Sequence, residues 1–140
     1  MISCGNNNNK ESSKTEPGTS ETSEPVVNMS ESYAKAREDF YKVTGIMLPA
    51  LEGLEVGEYP YEEGDKSYCF DIIGGDNLSH QTYETFLAFF DEELSSWTKT
   101  GPETMGEYTN VDYEIDNKWI GLTWDETNQA VYINASMDMK

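Results

Sequence analysis

Cysteine is scarce in this chain, with Cys4 and Cys69 the only two in 140 residues. Small secreted domains that lean on many disulfides are thereby excluded, and the folded part must be held by its own core, with at most one Cys4–Cys69 bridge. Positive charge is scarce as well. Nine Lys and Arg stand against 27 Asp and Glu, a formal net charge of -18 at pH 7. Nucleic-acid binders present Lys and Arg, so a phosphate backbone is not the expected partner, and anionic headgroups are disfavoured. The charge favours solubility at a crowded or anionic surface, basic partners or divalent cations, and it loads the fold with self-repulsion. Long apolar runs are missing too. Nothing approaches the roughly 18 consecutive apolar residues that span a bilayer. Histidine occurs once, as His80. No Ser or Cys sits in a nucleophile-elbow or Cys–His signature, zinc lacks ligands, and Gly74-Gly75 lacks both the spacing and the lysine of a phosphate loop. The sequence therefore predicts no catalytic constellation, no cofactor and no metal site.

What is present divides the chain in two. Positions 5–27 are built from Asn, Ser, Thr, Glu, Lys, Pro and Gly, with Val26 and Val27 almost the only apolar side chains. Such a segment buries too little to offset its ordering entropy, so disorder is expected, and Pro17 and Pro25 argue against helix. A tether of that length spans an average of roughly 25–30 Å. Ahead of it stand Met1, Ile2, Ser3, Cys4 and Gly5, then Asn6 to Asn9 and Lys10. This resembles a bacterial lipobox: an apolar residue three before the cysteine, a small one directly before it, glycine after it, then a hydrophilic stretch. The charged and apolar regions of a signal peptide are not in the chain. The resemblance implies a longer precursor, cut before Cys4, whose Cys4 sulfur carries a diacylglyceryl group. It also implies an extracytoplasmic protein anchored to the cell membrane. The stretch 40–49, with Thr44-Gly45-Ile46 and Leu48-Pro49, is similar to segments in lipoprotein domains of Gram-positive bacteria and brings no activity with it. The expected organisation is a lipobox remnant and polar tether at 1–28 and a single small acidic α+β domain at 29–140.

Within that domain, Asn28 or Ser30 caps a first helix running to about Val43, with Glu31 placed as a capping-box partner of Asn28. Tyr33, Ala36, Phe40 and Val43 form its apolar stripe, and Glu31 with Lys35, Lys35 with Asp39, and Glu38 with Lys42 lie on the wet side. Gly45 suits the position after the helix. Leu54 and Val56, then Tyr68, Phe70 and Ile72, alternate with polar residues and predict two strands flanking the turn Glu62-Glu63-Gly64-Asp65. Ser79 or Asn77 caps a second helix with the stripe Tyr83, Phe86, Leu87, Phe90, Leu94 and Trp97, ending near Trp97. A meander follows, through Val111, Tyr113 and Ile115; Ile120, Leu122 and Trp124; and Val131, Ile133, Ala135 and Met137. The order is α-β-β-α-β-β-β, an antiparallel sheet of about five strands with both helices on one face. Lys42-Val43-Thr44-Gly45 and Thr98-Lys99-Thr100-Gly101 look alike, as a duplicated αββ unit would, although alternating strands after turns resemble one another without common descent.

Strand parity supplies the candidate site. If Val111, Ile120 and Val131 face the helices, then Trp119, Tyr132 and Tyr108 face outward beside Asn110, Asp112, Thr123, Asn134 and Ser136. Aromatic rings among amides and carboxylates suit a glycan or the edge of an envelope protein; alternatively the rings cover one another across the strands. His80 is expected to cap or solvate the second helix, and Cys69 to be a half-buried thiol. Carboxylate groups at Asp91-Glu92-Glu93, at Asp112, Glu114 and Asp116, and at Glu62, Glu63 and Asp65 read as solvated faces. They also leave open a carboxylate- or cation-dependent enzyme acting on a glycan, and the net charge leaves open an inhibitor-like domain for a basic partner. The expected function is a non-catalytic binding or interaction module.

Overall fold

The computed structural model describes residues 28–138. Cys4 and the polar tether lie outside the described residues.

The first helix, α1 (Glu31–Thr44), begins where Ser30 Oγ accepts the Tyr33 N–H at 3.1 Å. Ser30, not Asn28, is the cap, so Glu31 opens the helix and no capping box forms with Asn28. The same hydroxyl donates to the Leu54 carbonyl and ties the helix start to the chain ahead of the sheet. Gly45, at φ 78°, ends α1 with its N–H on the Tyr41 carbonyl at 2.8 Å, a left-handed conformation that glycine adopts without a Cβ clash. Tyr33, Ala36 and Phe40 are buried along one stripe, as their spacing requires. Asp39 is buried too, which corrects its expected place on the wet side. Its Oδ2 holds Lys35 Nζ at 2.7 Å and the Tyr59 hydroxyl at 2.9 Å, so the buried carboxylate is compensated.

The strands form one antiparallel sheet of six: β1 (Glu55–Val56), β2 (Ser67–Gly74), β3 (Thr98–Met105), β4 (Tyr108–Ile115), β5 (Lys118–Asp125) and β6 (Ala130–Ser136), in the order β1-β2-β6-β5-β4-β3. The α+β class is as expected, but there are six strands and the element order is α-β-β-α-β-β-β-β. The extra strand is β3. It is exposed along its whole length, so it has no apolar alternation to announce it, and Gly101-Pro102 reads as a break. A register shift between Thr100 and Glu103 absorbs those two residues. The expected pair of strands around Glu62–Asp65 is present, with β1 antiparallel to β2 (Val56↔Ile72), though the pairing is short. The turn exists, with Asp65 N–H on the Glu62 carbonyl at 3.0 Å, but it lies in the long connection 57–66. β1 is only two residues long, and the main partner of β2 is β6, paired from Ser67↔Ser136 to Ile72↔Val131.

The second helix, α2 (His80–Glu93), starts with Ser79 N–H on Thr82 Oγ1 at 3.1 Å. It ends at Glu93 rather than near Trp97, because Leu94–Trp97 turns the chain directly into β3, with Trp97 N–H on the Leu94 carbonyl at 2.9 Å. Thr98–Gly101 therefore lies on a strand while Lys42–Gly45 closes a helix, so the two segments are not equivalent parts of a repeat.

Both helices pack on one face. Phe40 of α1 meets Phe70 of β2 and Phe90 of α2 with ring centroids 6.2 and 6.4 Å apart, and Phe90 meets Tyr113 of β4 at 5.9 Å. Around these rings lie Ile72, Val111, Ile120, Leu122, Val131 and Ile133, all at 0% exposure. Each such side chain contributes about 1.5–3 kcal/mol by leaving water, and together they commit the even-numbered residues of β2 and β5 and the odd-numbered ones of β4 and β6 to the helix side. Among the described residues, the opposite parity is left without a covering layer.

Candidate functional site

The uncovered face is a grid read from the strand register. One row runs Ser67, Ser136, Trp119, Glu114, Thr98; the next Cys69, Asn134, Gly121, Asp112, Thr100; the third Asp71, Tyr132, Thr123, Asn110, Glu103. Tyr108 pairs with Asp125 and Met105 at the far end. Because successive side chains on a strand alternate between faces, these residues share one surface although they come from five segments.

Gly121 is the hinge of the arrangement. A Cβ there would lie 2.5 Å from Trp119 Cζ2, so the indole occupies the space that a side chain at 121 would fill. Its Nε1–H donates to Asp112 Oδ1 at 2.9 Å, across the next strand. Trp119, Asp112 and Asn134 are thus gathered around one glycine. Thr123 donates to Asn110 Oδ1 at 2.6 Å and Tyr132 donates to Asp125 Oδ2 at 2.9 Å. Tyr108 stands apart, exposed beside Met105, at the opposite end from Trp119. Among the described residues, Trp119, Tyr132 and Tyr108 make no ring–ring pair with one another. Trp119 and Tyr132 bond to carboxylate partners instead.

Beside Trp119 the connection 57–66 raises a wall. A groove of about 400 Å³ lies between Pro60, Asp65, Cys69, Trp119, Asn134 and Ser136. Asp65 accepts the Glu62 N–H through Oδ2 at 2.8 Å, which fixes the turn at the rim. Cys69 is exposed, not half-buried, and is a free thiol. Desolvation against its neighbours, with the Asp71 carboxylate nearby, raises its pKa, so the sulfur stays protonated at neutral pH. Desolvation also raises the pKa of Asp71.

Asp125 anchors the other side of the face. Burial alone raises the pKa of its carboxyl. Hydrogen bonds from the Asn128 side chain at 2.8 Å, from the Asn128 and Thr127 N–H groups at 3.1 Å and from Tyr132 outweigh that and hold it below the usual carboxylate range. Tyr132, desolvated and bound to that anion, is pushed up to about 12. Gly121 and Asp125 were not among the candidate residues read from the sequence. A glycine inside a strand pattern is the available signal for the first, and Asp125-x-x-Asn128, a side chain closing its own turn, for the second.

The other acidic groups do not converge. Asp91 accepts from the Tyr113 hydroxyl at 2.7 Å and pairs with Lys99 Nζ at 2.9 Å, so β3 brings a compensating charge to one of the three carboxylates at the end of α2. Asp116 takes φ 54° in the β4–β5 turn. No group of three or more His, Cys, Asp or Glu among the described residues is placed to hold a metal ion. His80 stacks edge-on against Trp124 with centroids 5.3 Å apart, and its Nδ1 lies 3.5 Å from Glu84. Among the described residues, no helix is long and apolar enough to cross a membrane. Comparison with protein-family models, with curated proteins and with solved structures yields no match.

Proposed function

We propose that this protein is a non-catalytic binding module, held outside the cytoplasm by a lipid on Cys4 and a polar tether, whose uncovered sheet face contacts an envelope protein or glycan. The observation that carries this reading is the face itself. Its side chains are fastened to one another: indole to Asp112, phenol to Asp125, Thr123 to Asn110. A surface ordered before contact loses less side-chain freedom on binding, about 0.5–1.5 kcal/mol less for each side chain already held. The half-buried indole beside a groove supplies ring area, and the amides and carboxylates supply direction. Against catalysis at this face, the Cys69 thiol is protonated at neutral pH and the Tyr132 hydroxyl is committed as a donor.

The binding reading is tested by titrating the labelled full chain with peptidoglycan fragments and envelope extracts while following amide and indole NMR signals. Shifts at Trp119 Nε1–H, Tyr132 and Asn134, with α1 unmoved, support it; shifts confined to the helices refute it. The anchor is tested separately, by metabolic labelling with a fatty acid in cells that express the gene with its own upstream sequence. Label should enter the protein and vanish in Cys4→Ser.

A further inference from the structure

The alternation that leaves the face uncovered also sorts charge across the sheet. Lys99 is the register partner of buried Tyr113 and Lys118 shares the parity of Ile120, so both strand lysines belong to the helix side. Lys99 is spent there on Asp91, at 2.9 Å. The outer positions of β2 to β6 carry Asp71, Glu103, Asp112, Glu114 and Asp125 and no Lys or Arg. Asp112 and Asp125 are engaged by indole, amide and phenol donors. Asp71, Glu103 and Glu114 form no ion pair among the described residues.

We propose that this face docks a cationic polypeptide surface, with a Lys or Arg side chain seated in the groove against Trp119. The inference rests on the face being the contact surface, as proposed above. Charge complementarity selects the occupant. A second copy of the chain would set acid against acid, and a neutral glycan could hydrogen-bond Asp71 and Glu114 through its hydroxyls but would leave their charge uncompensated. A cation over the indole also gains from the ring's negative face. The size of the face sets the strength of the contact. Four strand spacings of about 4.8 Å and seven rises of about 3.4 Å give roughly 19 by 24 Å, or about 450 Å². That flat outline is small beside the roughly 800 Å² of accessible surface each partner buries in a standard-size interface, which suits a transient contact, and its ionic character makes it weaken as salt rises.

The test compares two variants of the full chain with equal change in net charge. Asp71→Asn, Glu103→Gln and Glu114→Gln together neutralise the open face; Glu31→Gln, Glu38→Gln and Glu92→Gln together neutralise helix positions. The probe is an octalysine peptide, followed at Trp119 Nε1–H by NMR, with the amide spectrum reporting that each variant is folded. The expected result is binding weakened about tenfold by the face variant and less than about threefold by the helix variant. Equal weakening by both, or shifts mapping to the helices, overturns the proposal. Should the triple face variant fail to fold, Glu114→Lys against Glu92→Lys asks the same question at two exposed positions. A neutral chito-oligosaccharide separates the two readings. If it moves Trp119 while octalysine does not, the contact surface stands and the cationic partner falls. If neither moves any outer-face signal, both fall.

Discussion

The two faces of the sheet are made by the same strands and do opposite work. On the helix side, Phe40, Phe70, Phe90 and Tyr113 meet ring to ring and the aliphatic side chains around them are wholly buried. On the open side, side chains are fixed by hydrogen bonds to one another; Asn110, Asp112, Trp119, Thr123 and Tyr132 stay partly exposed, while Asp125 is buried beneath Tyr132 and its own turn. Burial scales with area removed from water, whereas a hydrogen bond exchanged with solvent nets only about 0.5–1.5 kcal/mol. The difference teaches that stability resides on one face and surface order on the other.

The largest expected effect tests that division directly. Phe40→Ala empties the centre of the aromatic cluster and should cost about 3–5 kcal/mol in urea unfolding. Trp119→Ala, on the open face, should cost far less; a loss as large as that of Phe40 would break the comparison.

Acid sharpens it next. The Asp125 carboxyl is held below its ordinary value of about 3.9, so its contribution is present above that pH and is lost as pH falls through the folded value. Desolvation shifts Asp71 the opposite way, so protonating it on acidification favours the folded state. Melting temperatures from pH 7 to 3 should show Asp125→Asn destabilised at neutral pH with a shallower acid decline, and Asp71→Asn unchanged or stabilised at pH 7. A steeper acid decline in Asp125→Asn would contradict the assignment.

Tyr132→Phe should cost about 1 kcal/mol. With the phenol at about 12 when folded and about 10 when unfolded, its favourable contribution is complete below pH 10 and disappears as pH rises through 12. The variant should show a shallower alkaline decline by circular dichroism, the remainder coming from the other phenols that burial raises, Tyr33, Tyr68 and Tyr113 among them. The smallest effect is expected at the half-exposed Lys99–Asp91 pair, where Lys99→Met should change stability by about 0.2–1 kcal/mol and less at high salt.

Much of the helix side could be read without coordinates. Tyr33, Ala36 and Phe40 recur at helical spacing, and Phe70, Ile72, Val111, Ile120 and Val131 alternate along strands, because burial demands those periods. The same parity placed Trp119, Tyr132, Asn110, Asp112 and Asn134 together on the other surface. β3 was illegible, since an edge strand exposed on both faces imposes no apolar pattern. Asp39 was misplaced on the wet side because a spacing of four from Lys35 looks the same whether or not Tyr59 arrives from 20 residues away to cover it. The Asp91-Glu92-Glu93 run read as a solvated face, and the partner of Asp91 was not legible because Lys99 reaches it only through β3.

By itself, then, the chain determined which side chains must leave water and with what period, and its charge determined which partners are electrostatically unfavourable. Tertiary structure alone decided that β6 would lie between β2 and β5, that the indole of Trp119 would rest over Gly121, and that β3 would bring Lys99 to the helix side beside Asp91. Periodicity is a local property and survives in the sequence. Strand order and cross-strand bonds depend on residues far apart in the chain, and no short stretch of it records them.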